Sequence, residues 1–66
     1  MIIEQRRKEC GLTQKELASK LDVTQGAISQ WEQGIVEPSL KYIITMARIF
    51  NCTVDELIDT KVADAP

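Results

Sequence analysis

The sequence predicts a compact all-α domain of five short helices. Three observations support this: apolar residues recur at helical spacing, residues that cap helix N-termini precede the apolar stretches, and the strict alternation typical of strands is absent. The 66 residues are 44% hydrophobic and 27% charged, an ordinary balance for a folded protein. We therefore expect one domain over residues 1–66, with a thin stability margin because so short a chain buries little surface.

Two helices are predicted in the first third of the chain. The first covers about Ile2–Glu9 and ends at Gly11, a residue suited to left-handed helix ends. The second opens with a capping box, in which the Thr13 hydroxyl accepts from the backbone N–H of Glu16 and the Glu16 carboxylate accepts from that of Thr13. Its apolar stripe consists of Leu17, Ala18 and Leu21, with Leu12 as a hydrophobic staple.

A third helix is predicted over Gln25–Gln33, capped by Thr24 and ended by Gly34. Only Asp22 and Val23 separate the second helix from this cap, so the two helices must cross at a steep angle. The inner side of the third helix holds Ala27, Ile28 and Trp31. Its outer side holds Gln25, Gly26, Ser29, Gln30 and Gln33, a surface rich in amides.

Two further helices follow the loop that contains Pro38. Ser39 is expected to cap the fourth helix, Leu40–Phe50, and a capping box at Thr53–Glu56 opens a short fifth helix. The predicted core stripe of the fourth helix is Leu40, Ile43, Ile44, Ala47 and Phe50. The predicted inward residues of the fifth are Leu57 and Ile58. The tail at residues 61–66 is expected to fray.

The residue inventory excludes several classes of protein. The absence of histidine rules out zinc fingers and histidine-dependent catalysis, and we expect Cys10 and Cys52 to pack as small apolar residues. The sequence shows no metal cluster, cofactor motif or small-molecule site, so an enzyme is not expected. It also lacks a signal peptide and the run of about 20 apolar residues that a membrane span needs, which predicts a cytoplasmic protein with no membrane partner.

The net charge of −2 by itself argues against a nucleic-acid partner, since a basic domain is the usual footprint. However, the charge is unevenly distributed along the chain. Residues 1–33 contain five basic and five acidic side chains, whereas residues 53–66 contain one basic and four acidic side chains. The first half can therefore still present a neutral or basic surface.

Three motifs connect the chain to a known family. They are G-L-T-Q-x-E-L-A from Gly11 to Ala18, W-E-x-G from Trp31 to Gly34, and P-S-L from Pro38 to Leu40. With these motifs the chain resembles, from about Ile3 to Ile58, the helix-turn-helix family of phage repressors, Cro proteins and xenobiotic-response-element regulators. The resemblance implies a five-helix lambda-repressor-like fold, in which the second and third helices form the helix-turn-helix. It also implies a DNA-binding transcriptional regulator, a repressor that reads a palindromic operator as a homodimer.

Specific residues match the positions at which this family contacts double-stranded DNA. A glutamine on a helix in the major groove can donate to and accept from adenine, which suits Gln25. The residues expected to read bases are Gln25, Gly26, Ser29 and Gln30. Those expected to contact phosphates are Gln14, Thr24, Gln33, Arg7, Lys15 and Lys41, and Gln14 would also brace Gln25. Arg7 and Glu32 match an ion pair of the family.

The loop Ile35-Val36-Glu37 departs from the family pattern, because this loop is often basic in the family. The departure predicts fewer phosphate contacts. It also keeps an alternative open, a protein-interaction module that retains the fold without binding DNA. The polar surface of the third helix argues against that alternative, since interaction surfaces favour aromatic or methionine anchors. A controller protein or an antitoxin would fit the same motifs as a repressor.

A homodimer interface is predicted from apolar side chains that exceed what one small core absorbs. The expected interface residues are Tyr42, Met46, Ile49, Val54 and Ile58. We expect a two-fold dimer that places two reading helices about 34 Å apart, one turn of DNA. The alternative is that these residues complete the core.

Overall fold

The computed structural model describes residues 1–58, which form five α-helices and no strand within that range. The helices are α1 (Ile3–Glu9), α2 (Gln14–Leu21), α3 (Gln25–Gln33), α4 (Leu40–Ile49) and α5 (Val54–Ile58). The predicted all-α, five-helix fold is therefore confirmed, and the bounds predicted for the first, third and fourth helices are within one residue of the observed ones. The tail predicted to fray, residues 61–66, lies outside the described residues.

Two capping boxes start α2 and α5. In each box the threonine N–H donates to a glutamate Oε1 at 2.8 Å and the glutamate N–H donates to the threonine Oγ1 at 3.0 Å; the pairs are Thr13 with Glu16, and Thr53 with Glu56. These bonds satisfy backbone N–H groups that have no partner inside the helix. The backbone hydrogen bond from Thr53 lowers the pKa of Glu56 below its ordinary value. Ser39 is the N-cap residue of α4, as predicted, although its side chain makes no capping hydrogen bond.

Left-handed backbone conformations produce the reversals between helices. Asp22 ends α2 at φ 58°, Gly34 ends α3 at φ 77°, and Asn51 follows α4 at φ 56°. Asp and Asn enter this region more readily than most residues with a side chain, and glycine enters it without a steric penalty. Because Asp22 turns the chain this sharply, Thr24 can cap α3 only two residues later.

The core lies among the five helices, each of which contributes at least one buried side chain, and α2 packs directly against α3. Leu17 and Ile28 are fully buried and Ala18 is buried, as the sequence predicted for these inward residues. The Trp31 ring is also buried, with its centroid 5.4 Å from that of Tyr42. The buried core consists of Ile3, Leu17, Ala18, Leu21, Ile28, Trp31, Ile43, Met46, Ala47, Phe50 and Leu57.

The orientation of α4 differs from the predicted one. Leu40 and Ile44, predicted for the core, are 64% and 38% exposed, whereas Met46, predicted for the surface, is completely buried. The buried face of α4 consists of Ile43, Met46 and Ala47, with Phe50 at the C-terminal end. Apolar side chains cover most of the circumference of this helix, so their spacing did not determine which stripe faces the core.

The two cysteines lie in different environments. Cys52 is half-buried against the core, and burial raises the pKa of its thiol. Cys10 is exposed just after α1, so the prediction that it packs as an apolar residue is wrong. Both thiols are free of disulfides. None of the helices within residues 1–58 has the length and apolar composition that crossing a membrane requires.

The neighbouring isoleucines of α4 test its orientation. We expect Ile43→Ala to reduce the free energy of unfolding by about 2–5 kcal/mol, because it opens a cavity in the core. The matched control, Ile44→Ala, removes a partly exposed side chain and is expected to cost much less. Urea denaturation monitored by circular dichroism measures both values. Equal losses, or a larger loss for Ile44→Ala, would contradict the observed orientation.

Candidate functional site

The outer face of α3 is a polar surface supported by a buried apolar one. Gln25, Gly26, Gln30 and Gln33 are exposed and Ser29 is half-buried. On the opposite side of the same helix, Ile28 and Trp31 are buried in the core. This arrangement fixes the rotation of α3 about its own axis, so the five outer residues form one fixed polar surface, referred to below as the reading face.

Two hydrogen bonds orient polar side chains within and beside the reading face. Gln33 Nε2 donates to Ser29 Oγ at 2.7 Å, one helical turn away. Thr24 Oγ1 accepts from the backbone N–H of Ala27 at 3.1 Å and retains its own O–H proton for an external acceptor. The amides of Gln30 and Gln25, by comparison, extend from the exposed side of the helix.

Gln14, the first residue of α2, connects the reading face to the interior. Its Nε2 donates to Glu32 Oε1 at 2.9 Å, and its Oε1 accepts from Gln25 Nε2 at 3.4 Å. The bracing of Gln25 by Gln14, expected from the family resemblance, is present in the structure. The bond between Gln14 and Glu32 was not predicted, because the two residues are eighteen positions apart and nothing local in the sequence relates them.

A buried ion pair lies behind this connection. Arg7 Nε donates to Glu32 Oε2 at 2.7 Å and Arg7 Nη2 donates to Glu32 Oε1 at 3.3 Å, while Arg7 Nη1 donates to the carbonyl of Leu12 at 2.7 Å. The two side chains are only 9% and 5% exposed. The hydrogen bonds to Glu32 raise the pKa of Arg7 above its ordinary value and outweigh the opposing effect of burial. The expected ion pair is therefore present.

The same geometry corrects one predicted contact. Arg7 was expected to contact a phosphate as well as Glu32, but it is buried and all three of its guanidinium nitrogens donate within the chain. It therefore positions α1 against α3 and does not contribute a surface charge. Lys15 and Lys41, the other predicted basic contacts, are exposed. The Nζ of Lys41 lies 5.1 Å from the ring centroid of Tyr42, a cation–π distance.

Gly26 has no packing role within the described chain. A Cβ atom built at this position would have only Thr24 Oγ1 within 4 Å, at 3.8 Å, which is ordinary van der Waals contact. An alanine would therefore fit, and it would favour the helix by roughly 1 kcal/mol. The fold of this chain does not account for the glycine.

The residues predicted for a dimer interface fall into two groups. Met46 is completely buried within the chain and cannot contact a partner, so its assignment is corrected. The others are half-buried, and three of them pack against the core; the four are Tyr42, Ile49, Val54 and Ile58. The exposed apolar side chains of the described residues lie elsewhere, at Met1, Ile35, Val36, Leu40 and Ile44.

Comparisons with known proteins agree with this geometry. Residues 3–57 match a family model described as helix-turn-helix. The chain is 38% identical over 56 residues to the transcriptional activator BcrR of Enterococcus faecalis, covering 85% of this chain and 28% of BcrR. It is also 38% identical over 55 residues to an HTH-type transcriptional regulator of Archaeoglobus fulgidus, covering 83% of this chain and 79% of that protein.

A solved structure shares the whole described architecture. It is a complex of SinR with SinI, 30% identical in sequence with a TM-score of 0.81, and the match covers 100% of this chain and 68% of that chain. The chain thus spans most of the archaeal relative but only about a quarter of the length of BcrR.

The buried ion pair gives a direct stability test. Replacing Arg7 by Met strands the Glu32 carboxylate in the interior, and we expect the free energy of unfolding to fall by about 3–5 kcal/mol. The double variant Arg7→Met with Glu32→Met removes both charges and is expected to recover much of that loss. Thermal and urea denaturation provide the measurement.

The control for this test is Lys8→Met, which breaks the exposed pair with Glu4 on the same helix. We expect a much smaller change there, because water screens that pair. A loss for Arg7→Met no larger than that for Lys8→Met would show that the buried pair is not needed for stability.

Proposed function

Because this chain belongs to the helix-turn-helix family of DNA-binding transcriptional regulators, we propose that it represses transcription as a homodimer bound to a palindromic operator. The family membership predicted from the sequence motifs is confirmed, and it places the chain among regulators and not among enzymes. The observation that carries the proposal is the reading face, in which exposed amides lie outward while Ile28 and Trp31 hold the back of α3 in the core. We propose a cytoplasmic location for this regulator.

Base reading is assigned to the exposed groups of α3. A major groove about 12 Å wide admits one helix, and a glutamine amide can bind the N6 and N7 atoms of adenine together. Gln25 occupies the first turn of α3, and Gln30 lies five residues further along the exposed side. Ser29 adds a hydroxyl between them. The glycine at position 26 permits close approach of a base or a phosphate, which is consistent with its lack of any packing role.

Phosphate binding is assigned to groups that border the reading face. Gln14 begins α2 and Thr24 caps α3, so both lie at helix N-termini, where backbone N–H groups favour an anion. Lys15, Lys41 and Gln33 extend this set. Phosphate contacts position the protein on the duplex, whereas base contacts supply the sequence preference.

A protein-interaction module remains the second candidate function. The observation that favours it is the loop after α3, where Ile35 is 63% exposed and Val36 is 45% exposed, at positions that are often basic in the family. Such a loop contributes no positive charge toward DNA. The reading face argues for DNA, since it presents amides and a hydroxyl but no aromatic or methionine anchor.

Selection of duplexes from a random library separates these two functions. We expect recovery of a palindromic sequence, and we expect Gln25→Ala or Gln30→Ala to reduce discrimination at one base position by about 1–3 kcal/mol. Quantitative gel shifts on the selected duplex measure the effect. The control is Gln5→Ala, which removes an exposed amide of α1 that donates to Glu9 on the same helix.

No enrichment of any sequence at low salt would favour the interaction module. Unchanged base preference in both Gln25→Ala and Gln30→Ala would contradict the proposed reading face.

The proposed dimer predicts a defined stoichiometry on DNA. We expect two chains per selected palindrome, with half-sites about 34 Å apart, and much weaker binding of the same dimer to a duplex that carries a single half-site. The half-buried residues Tyr42, Ile49, Val54 and Ile58 are proposed to form the contact between copies. Sedimentation equilibrium with labelled duplexes measures the number of chains per palindrome, and gel shifts measure the difference in affinity between the two duplexes. One chain per palindrome, together with a monomer at high micromolar concentration of the free chain, would contradict the dimer.

A further inference from the structure

We infer that Glu32, which lies behind the reading face, sets the base preference of Gln25 by fixing the direction of the two amides that connect them. The inference rests on the proposed function, in which Gln25 reads a base. It concerns a residue that does not itself touch the DNA surface, so Glu32 acts as a positioning residue for recognition.

The first step is the chemistry of the carboxylate. An ionised Glu32 has only acceptors, and Arg7 donates to both of its oxygens, at 2.7 and 3.3 Å. The side chain is 5% exposed, so it stays in this geometry with little access to water. The terminal amide of Gln14 lies beside this carboxylate, with its Nε2 atom 2.9 Å from Glu32 Oε1. Because the carboxylate cannot donate, Gln14 must direct its NH₂ group toward Glu32.

The orientation of the Gln14 amide in turn determines the orientation of the Gln25 amide on the reading face. With the Gln14 NH₂ group directed inward, the Gln14 carbonyl oxygen is directed toward Gln25 and accepts from Gln25 Nε2 at 3.4 Å. One N–H of Gln25 is used in this bond. The carbonyl oxygen of Gln25 and its second N–H remain for an external partner, so Gln25 offers one acceptor and one donor.

The third step is the match to a base. In the major groove adenine presents an acceptor at N7 and a donor at N6, which one donor and one acceptor satisfy. Guanine presents acceptors at N7 and O6, and it needs two donors. If the Gln14 amide were reversed, its NH₂ would donate to the Gln25 carbonyl, and Gln25 would offer the two N–H groups that suit guanine. The buried carboxylate therefore favours adenine over guanine.

The test compares affinities for two duplexes that differ only at the base pair read by Gln25, one with adenine and one with guanine. The variant Gln14→Met keeps the length of the side chain and removes the amide, without altering the ion pair between Arg7 and Glu32. We expect the ratio of the affinity for adenine to that for guanine to fall by about fivefold or more, because the amide of Gln25 can then adopt either orientation. The matched control is Gln5→Met on α1, which should leave the ratio unchanged.

A second variant tests Glu32 itself. Glu32→Gln alone would leave the Arg7 charge without its partner, so it is combined with Arg7→Met, and thermal melting checks that the fold is retained. An amide at position 32 can donate as well as accept, so it no longer imposes one direction on Gln14. We expect the preference for adenine to fall toward equality with guanine, and overall affinity to change less than the ratio.

The outcomes separate the inference from the proposed function. If Gln25→Ala leaves the ratio of affinities unchanged, Gln25 does not read this base, and both the proposed reading and the inference fail. If Gln25→Ala abolishes the preference but Gln14→Met and the double variant keep it, the reading stands and the role of Glu32 is refuted. A parent protein that prefers guanine at this position would also refute it.

Discussion

The buried ion pair between Arg7 and Glu32 connects the helices that position the proposed reading face. Arg7 lies on α1, Glu32 lies on α3, and Gln14 at the start of α2 donates to the same carboxylate. A charged group that is buried away from water is stable only if it is paired and hydrogen-bonded. Here Arg7 donates to Glu32 and to the carbonyl of Leu12, and Glu32 accepts from both Arg7 and Gln14. Any rotation or shift of α3 would break these bonds. The position of the reading face therefore depends on an interaction behind it.

The short connection between α2 and α3 supplies the second constraint. Asp22 in the left-handed conformation turns the chain at the end of α2, the Thr24 cap starts α3 two residues later, and Leu17 of α2 and Ile28 of α3 are both fully buried. In a domain this small each buried side chain is a large share of the total stability. The core that stabilises the fold therefore also fixes α3 as a rigid helix with its polar side exposed. A rigid helix loses less conformational entropy when it binds a partner than a mobile one does.

Local patterns in the sequence predicted most of the fold, and tertiary contacts accounted for the errors. The caps and helix ends depend on residues three or four apart, so Thr13 with Glu16 and the left-handed Asp22 were predictable. The orientation of α4 was not, because Leu40 and Ile44 compete with Met46 for the core and only packing against other helices decides between them. The wrong assignment of Met46 to a dimer interface has the same cause.

The sequence by itself determined the helices, the short turn between α2 and α3, and the amide-rich outer side of α3, since each follows from neighbours along the chain. The tertiary structure alone decided which groups remain available on the surface. Arg7 is buried and paired with Glu32, Cys10 is exposed, and the amide of Gln14 has its NH₂ group directed toward Glu32. These features depend on burial or on hydrogen bonds between residues many positions apart, and the fold brings such residues together only after the helices have packed.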